Sequence, residues 1–213
     1  MKYRLVIAIS AVTMVALSAP ISPASAAGDI ATLAFAGDVH FADQLAVQGK
    51  PGGLASVPAL LGDADLAMVN LETAIATHGS RQGKMYTFRA PSQVLQTLAD
   101  VGVDVVTQAN NHAVDYGRRG LADAVAAKSS SPVAIVGLGA NLADAIAPYH
   151  TVIKGNDIAI FGIDAFRPLP AWRAGADSAG VAVWKWNRAE ILRQMKSAAD
   201  GGALVVAYVH WGF

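Results

Sequence analysis

From Ile30 onward, short apolar runs alternate with stretches whose apolar residues recur at helical spacing, the pattern of an α/β fold with buried strands. Runs at 32–36, 66–70, 103–108, 133–137 and 203–209, rich in Val and Ala, predict strands. Helical spacing at 93–101, 121–128 and 187–199 predicts helices between them, the last with Asn187 as its N-cap. Residues 149–154 and 157–163 alternate as strands and are separated only by Gly155-Asn156, which predicts an antiparallel hairpin. The Pro-, Gly- and Ala-containing segment 167–180 reads as a loop over a surface or a site mouth. Val181, Val183, Trp184 and Trp186 then read as a strand packed on its neighbour.

The start of the chain breaks this pattern. Lys2 and Arg4 precede fifteen nearly uncharged residues from Leu5 to Ala19, and Pro20, Pro23 and the triplet Ala24-Ser25-Ala26 follow. A basic start, a short apolar stretch and small residues at the cut describe a secretory signal peptide, residues 1–26, removed after Ala26. The alternative is a retained anchor, but fifteen apolar residues fall short of the about 20 that a membrane span needs. The mature chain is expected outside the cytoplasm, secreted or at the cell envelope.

With 213 residues, 54% of them hydrophobic and 15% charged, the chain has the material for one compact domain over 30–213 and is too apolar for a disordered one. Without Lys2 and Arg4, 14 basic residues face 16 acidic ones, a formal charge of −2. A nucleic-acid or anionic-membrane surface would need a basic excess, so neither is expected. The absence of Cys removes disulfides, cysteine nucleophiles and thiolate metal sites. A metal would have to be held by His, Asn and carboxylates.

Those residue types gather where the strands end. Gly37-Asp38-Val39-His40 follows the first strand, with Asp38 and His40 two positions apart and on one side if the chain stays extended. The second strand runs into Asn70-Leu71-Glu72, the third into Asn110-Asn111-His112 with Asp115 close behind, and the last into His210. Taken singly, Asp38 could be a turn former, Asn110-Asn111 left-handed loop residues and Glu72 a solvated charge. Their coincidence at successive strand ends points to one site, because open α/β sheets carry their chemistry beyond the carboxyl ends of the strands. Without Cys, such a donor set suits Mn, Fe or Zn better than Ca. Elsewhere, Arg89 could grip a phosphate or carboxylate or be structural. His78 reads as a solvated histidine and His150 as a half-buried strand residue. The tryptophans read as packing, with polymer stacking the lesser reading.

The succession GDVH, NLET, YTFRAP, ANNHAVDYG, VGLGANLADAIAP and HWG resembles the bacterial capsule-synthesis protein family CapA, of the poly-γ-glutamate capsule type, from about Ala31 to Phe213. The resemblance implies an α/β four-layer sandwich with mixed sheets, similar to calcineurin-like metallophosphoesterases, and a centre of two divalent metal ions. In that pattern Asp38 and His40 hold the first metal, Glu72 stands where the bridging carboxylate sits, and Asn111 and His210 hold the second. His112 is the general acid or phosphate-contacting imidazole, and Asp115 orients it. Glu in the bridging place departs from the superfamily's usual Asp. The family's closing Gly-His-His-Pro-His type block has no counterpart in these residues, which leads us to expect a domain incomplete at its C-terminus, with weakened metal binding. The implied function is capsule or poly-γ-glutamate synthesis or processing by metal-assisted hydrolysis or transfer. The expected partners are an anionic capsular polymer or phosphoester and membrane-bound capsule synthesis proteins. The alternative is a non-catalytic envelope component that binds polymer or assembles with partners.

Overall fold

The computed structural model describes residues 30–55, 61–166 and 169–212. The expected signal peptide and its cleavage site lie outside the described residues. In chain order the elements are β1 (Leu33–Val39), β2 (Leu66–Leu71), β3 (Ala74–Ile75), β4 (Arg89–Ala90), α1 (Gln93–Ala99), β5 (Val105–Thr107), α2 (Gly117–Lys128), β6 (Ala134–Val136), β7 (Leu138–Gly139), α3 (Leu142–Ala145), β8 (Tyr149–Ile153), β9 (Asn156–Asp164), β10 (Gly180–Val181), α4 (Trp184–Asp200) and β11 (Leu204–His210). Short 3-10 turns stand at Asp43–Gly49 and Pro170–Trp172.

Two sheets make the middle of the molecule. One is parallel, in the order β1-β2-β5-β6, and the other, β11-β9-β8, pairs β11 parallel and β8 antiparallel to β9. Leu66, Met68, Val105 and Val136 of the first sheet pack against Ile158, Ile160, Val206 and Tyr208 of the second. On the other face of the first sheet, Val69, Leu71, Val106 and Ile135 meet Val94, Leu95 and Leu98 of α1 and Leu121 and Ala124 of α2. Ala159 and Phe161 of β9 pack under Met195 and Ala198 of α4. Helix, sheet, sheet and helix thus form the expected four-layer α/β sandwich, with one sheet parallel and the other mixed. Strands covered on both faces carry no polar alternation, which is why β2 is buried along its whole length.

Several local expectations shift. β1 runs on through Val39, so Asp38 lies within the strand and is not a turn former. The hairpin pairs Ile153 with Asn156, which moves its two-residue turn to Lys154-Gly155. Both turn residues have positive φ, 50° and 80°, as a type I′ turn requires. Helix α4 begins at Trp184, three residues before the expected cap, and Val183 is its N-cap. Asn187 lies in the first turn, where its Oδ1 accepts from the Val183 N–H and satisfies the helix start from inside. Trp184 and Trp186 are therefore helical residues and not part of a strand. The loop before them carries a buried Trp172 and the short β10 paired with β7.

Candidate functional site

Period-two alternation brings the site together. The β2 residues facing the second sheet are Leu66, Met68 and then Asn70, and the matching series are Val206, Tyr208 and His210 on β11 and Ile158, Ile160, Gly162 and Asp164 on β9. Apolar residues fill the layer between the sheets until its carboxyl edge, where the same face ends in Asn70, Asp164 and His210. On β1 an irregularity between Phe35 and Asp38 inserts one residue relative to β2, so that Asp38 comes level with Asn70. The Tyr208 hydroxyl, reaching across from β11, donates to the carbonyl of Ala36 within this bulge. A bulge thus re-aims Asp38 into the site.

Asn70, fully buried, is the hub. Its Nδ2 donates to Asp38 Oδ1 at 2.7 Å and lies 3.1 Å from His210 Nδ1, while its Oδ1 accepts from Asn110 Nδ2 at 2.9 Å. His210 Nε2 is 2.7 Å from Asn111 Oδ1. An amide N–H directed at Nδ1 and an amide oxygen at Nε2 match, without metal, the neutral tautomer with its proton on Nε2. Burial agrees, since it holds the His210 pKa below the ordinary imidazole value. Glu72 Oε1 stands 3.7 Å from His210 Nε2 and 3.6 Å from His112 Nε2. Asp38, Glu72 and His210 each offer one donor atom, all within 4.8 Å of one another.

Beside this trio, His112 Nδ1 meets Asp115 Oδ2 at 2.7 Å, and both residues are buried. The motif that holds them winds from Asn110, whose Oδ1 accepts from the His112 N–H, to Gly117, whose φ of 67° starts α2. Neither Asn110 nor Asn111 is left-handed; the Asn110 side chain bonds the backbone of His112 and Leu71 as well as Asn70, and that of Asn111 reaches His210. Glu72 is not a solvated charge either: its side chain is 16% exposed. Burial first, and then the neighbouring Asp38 carboxylate, raise its pKa to about 7. Burial likewise lifts Asp164 to about 7, and its Oδ2 is buried without a hydrogen-bond partner.

His40 lies apart from the trio. Its ring stacks on Phe88 at 4.4 Å, Phe88 stacks on His112 at 4.2 Å, and the His40 Nδ1 is buried without a partner. Arg89 is exposed and places its guanidinium 4.3 Å above the Tyr116 ring, a structural engagement. His78 is exposed but pairs with Asp123 at 3.0 Å, and His150 is exposed, not half-buried, 3.6 Å from Asp157.

The donor chemistry fits a divalent transition metal. Two carboxylates and an imidazole converge, the Asp38 charge working against that of Glu72, and His40 offers a further buried nitrogen with no partner. Sequence reasoning missed Asn70, Asp164, Lys84 and Phe88. The first two were findable by extending the alternation of the inter-sheet faces past the last apolar residue. Lys84 and Phe88 sit in an irregular segment, where no periodicity marks them.

Comparison with known proteins agrees with the motif order. The family described as bacterial capsule synthesis protein PGA_cap matches residues 32–213, and the chain belongs to that family. It is 27% identical over 157 residues to a probable polyglutamine synthesis accessory protein of Mycobacterium tuberculosis, covering 70% of this chain and 41% of that protein. It is 30% identical over 128 residues to the capsule biosynthesis protein CapA of Bacillus anthracis, covering 58% of this chain and 30% of that protein. The aligned region is thus less than half the length of the curated relatives it matches. A hypothetical protein from Thermus thermophilus aligns with a TM-score of 0.44 and 17% identity over 85% of this chain and 58% of its own.

Proposed function

We propose that this chain is an exported component of capsule or poly-γ-glutamate synthesis or processing that acts through a divalent metal site on an anionic polymer or phosphoester. The observation that carries the reading is the convergence of Asp38, Glu72 and His210 donor atoms within 4.8 Å, in a chain of the capsule synthesis family. Asp38, Glu72, Asn111 and His210 hold metal in this reading, with His40 contributing from the side to a centre of two ions. A cation held there supplies Lewis acidity to the group being cleaved and the positive field that the formal charge of −2 on residues 27–213 lacks. The relatives' names, polyglutamine synthesis accessory protein and CapA, support a capsular polymer as partner.

The proton chemistry belongs to His112. Its Nδ1–H points at Asp115, which orients the ring, and its Nε2 faces Glu72 and the metal-holding residues. Nε2 is therefore the atom that would give a proton to the leaving oxygen or nitrogen. Asn70 keeps Asp38 and His210 aligned, and Met68, Val206 and Tyr208 pack in the layer beneath. Export rests on the basic start, the apolar run and the Ala24-Ser25-Ala26 cut. Among the described residues no helix is long and apolar enough to cross a membrane.

Titration of the purified chain with Mn²⁺ and Zn²⁺ by calorimetry tests the site. Saturable binding that is lost in Asp38→Ala and His210→Ala is expected, and the same weak uptake in all three proteins overturns it. With metal loaded, His112→Ala should lower turnover of a phosphodiester or of γ-glutamyl polymer on the order of 10²-fold. Polymer binding without any turnover would leave a binding component of the envelope. Intact-mass analysis of the exported protein reads the cleavage after Ala26.

A further inference from the structure

The irregular segment before β4 touches the site at two points that neither the motif reading nor the family assignment explains. Lys84 Nζ lies 2.5 Å from Asp115 Oδ1 and 2.7 Å from the backbone carbonyl of Asn111, to which it donates. Its ammonium also sits 5.2 Å from the centre of the buried Trp172 ring, which confines the stem. Four residues on, the Phe88 N–H donates to Asp115 Oδ2 at 2.6 Å, and the Phe88 ring is sandwiched between the imidazoles of His40 and His112. Between these anchors Met85 and Tyr86 are exposed.

We propose that Lys84 and Phe88 are positioning residues, a two-point clamp that sets the His112–Asp115 pair and the loop carrying Asn111 in register with the metal-holding residues. The Asp115 carboxylate is held on both oxygens. Lys84 meets Oδ1 as an ion pair without a hydrogen bond, while Oδ2 is shared by the Phe88 N–H and the His112 imidazole. Oδ2 can accept from His112 Nδ1–H only while Asp115 keeps this orientation. The second Lys84 bond fixes the backbone of Asn111, whose Oδ1 reaches His210 Nε2. Phe88 fills the gap between the two imidazoles, so neither ring can turn without displacing it. Lysine suits this task because its three donors radiate from one compact charge and can serve a carboxylate and a carbonyl together.

The clamp rests on the metal-site reading for its purpose, but its geometry can be tested without metal. In the metal-free protein the His112 Nδ1 proton should give a slowly exchanging downfield NMR signal. Lys84→Met, which keeps the stem over Trp172 and deletes the donors, should abolish that signal, and Lys84→Arg should retain it in part. Phe88→Leu keeps the backbone donor to Asp115 but removes the stack, and should shift the ring resonances of both His40 and His112 while leaving those of His150 in place. With Mn²⁺ alone as probe, both Lys84→Met and Phe88→Leu should weaken affinity about 10- to 100-fold, the usual cost of losing support behind a metal ligand. Lys196→Met, which breaks an exposed pair with Asp200, is the control and should change neither readout. A folded Lys84→Met protein with an unchanged His112 signal and unchanged Mn²⁺ affinity overturns the clamp. If that variant does not fold, unmoved His40 and His112 resonances in Phe88→Leu overturn it instead. Should the wild type bind no Mn²⁺, the metal reading falls, and the two NMR readouts still decide the clamp.

Discussion

The two ends of the same sheets treat carboxylates in opposite ways. At the amino edge, Asp65 accepts from the Thr32 N–H at 2.7 Å and hydroxyl at 2.8 Å and from Lys154 Nζ at 2.8 Å, and these partners draw its pKa down to about 2. At the carboxyl edge, Glu72 faces Asp38 and two histidines, Asp164 has a buried oxygen with no partner, and both are pushed up to about 7. The amino edge is a closed structural arrangement that joins β1, β2 and the β8–β9 turn. The carboxyl edge holds its acids against their own electrostatics. Such a cost is kept where it serves a site, because a cation or a proton can relieve it.

Removing the hub of the carboxyl edge should have the largest effect. Asn70→Ala deprives Asn110, Asp38 and His210 of a shared partner in a fully buried position, and should destabilise the protein by about 2 kcal/mol. Urea denaturation measures it. A loss no greater than that of an exposed substitution such as Leu204→Ala would mean the network does not hold the edge together.

The pH dependence comes next, and the two edges predict opposite signs. Glu72 and Asp164 have folded pKa values near 7, above their ordinary values of 4.5 and 3.8, so the folded protein binds more protons than the unfolded chain between those limits. Metal-free stability should therefore be greatest, as far as these groups go, below about pH 4 and fall as pH rises toward 7. Asp65 works the other way: its stabilisation is present above its ordinary pKa of 3.8 and is lost as pH falls toward 2. Thermal melts across this range, with Glu72→Gln and Asp164→Asn flattening the upper part of the curve, check the assignment. A wild-type stability that rises steadily from pH 5 to 7, with the two variants behaving alike, would sink it.

A cation should then distinguish the edges. Saturating Mn²⁺ should raise the melting temperature more at pH 7.5 than at pH 5, because protons compete for Glu72 at the lower pH. Asp65→Asn should leave that increment untouched, whereas Asp38→Ala should remove it. The smallest effect belongs to Lys154→Met. It removes one exposed partner of Asp65, leaves the Thr32 bonds in place, and should shift the melting temperature by no more than a few degrees.

The sequence by itself determined the layered α/β fold and that polar residues gather beyond the carboxyl ends of its strands. The Val- and Ala-rich strand runs fall where the strands are; burial on both faces leaves a continuous apolar signature in β2 and β5, while β1 and β11 are apolar although partly exposed. The strand-end clusters of Asp38, Glu72, Asn111, His112, Asp115 and His210 stood out because polar groups that end buried strands must meet beyond the sheet. Only the tertiary structure decided how they meet. A one-residue bulge, invisible as composition, turns Asp38 toward Asn70. The β11 and β2 faces had to be packed together before Asn70 could be seen between Asp38 and His210. Helix α4 begins three residues early, at Trp184, because Asn187 satisfies the start of the helix from inside the first turn. Lys84 and Phe88 acquire meaning solely from contacts made across a loop, since an irregular segment has no period that could announce which of its side chains point inward.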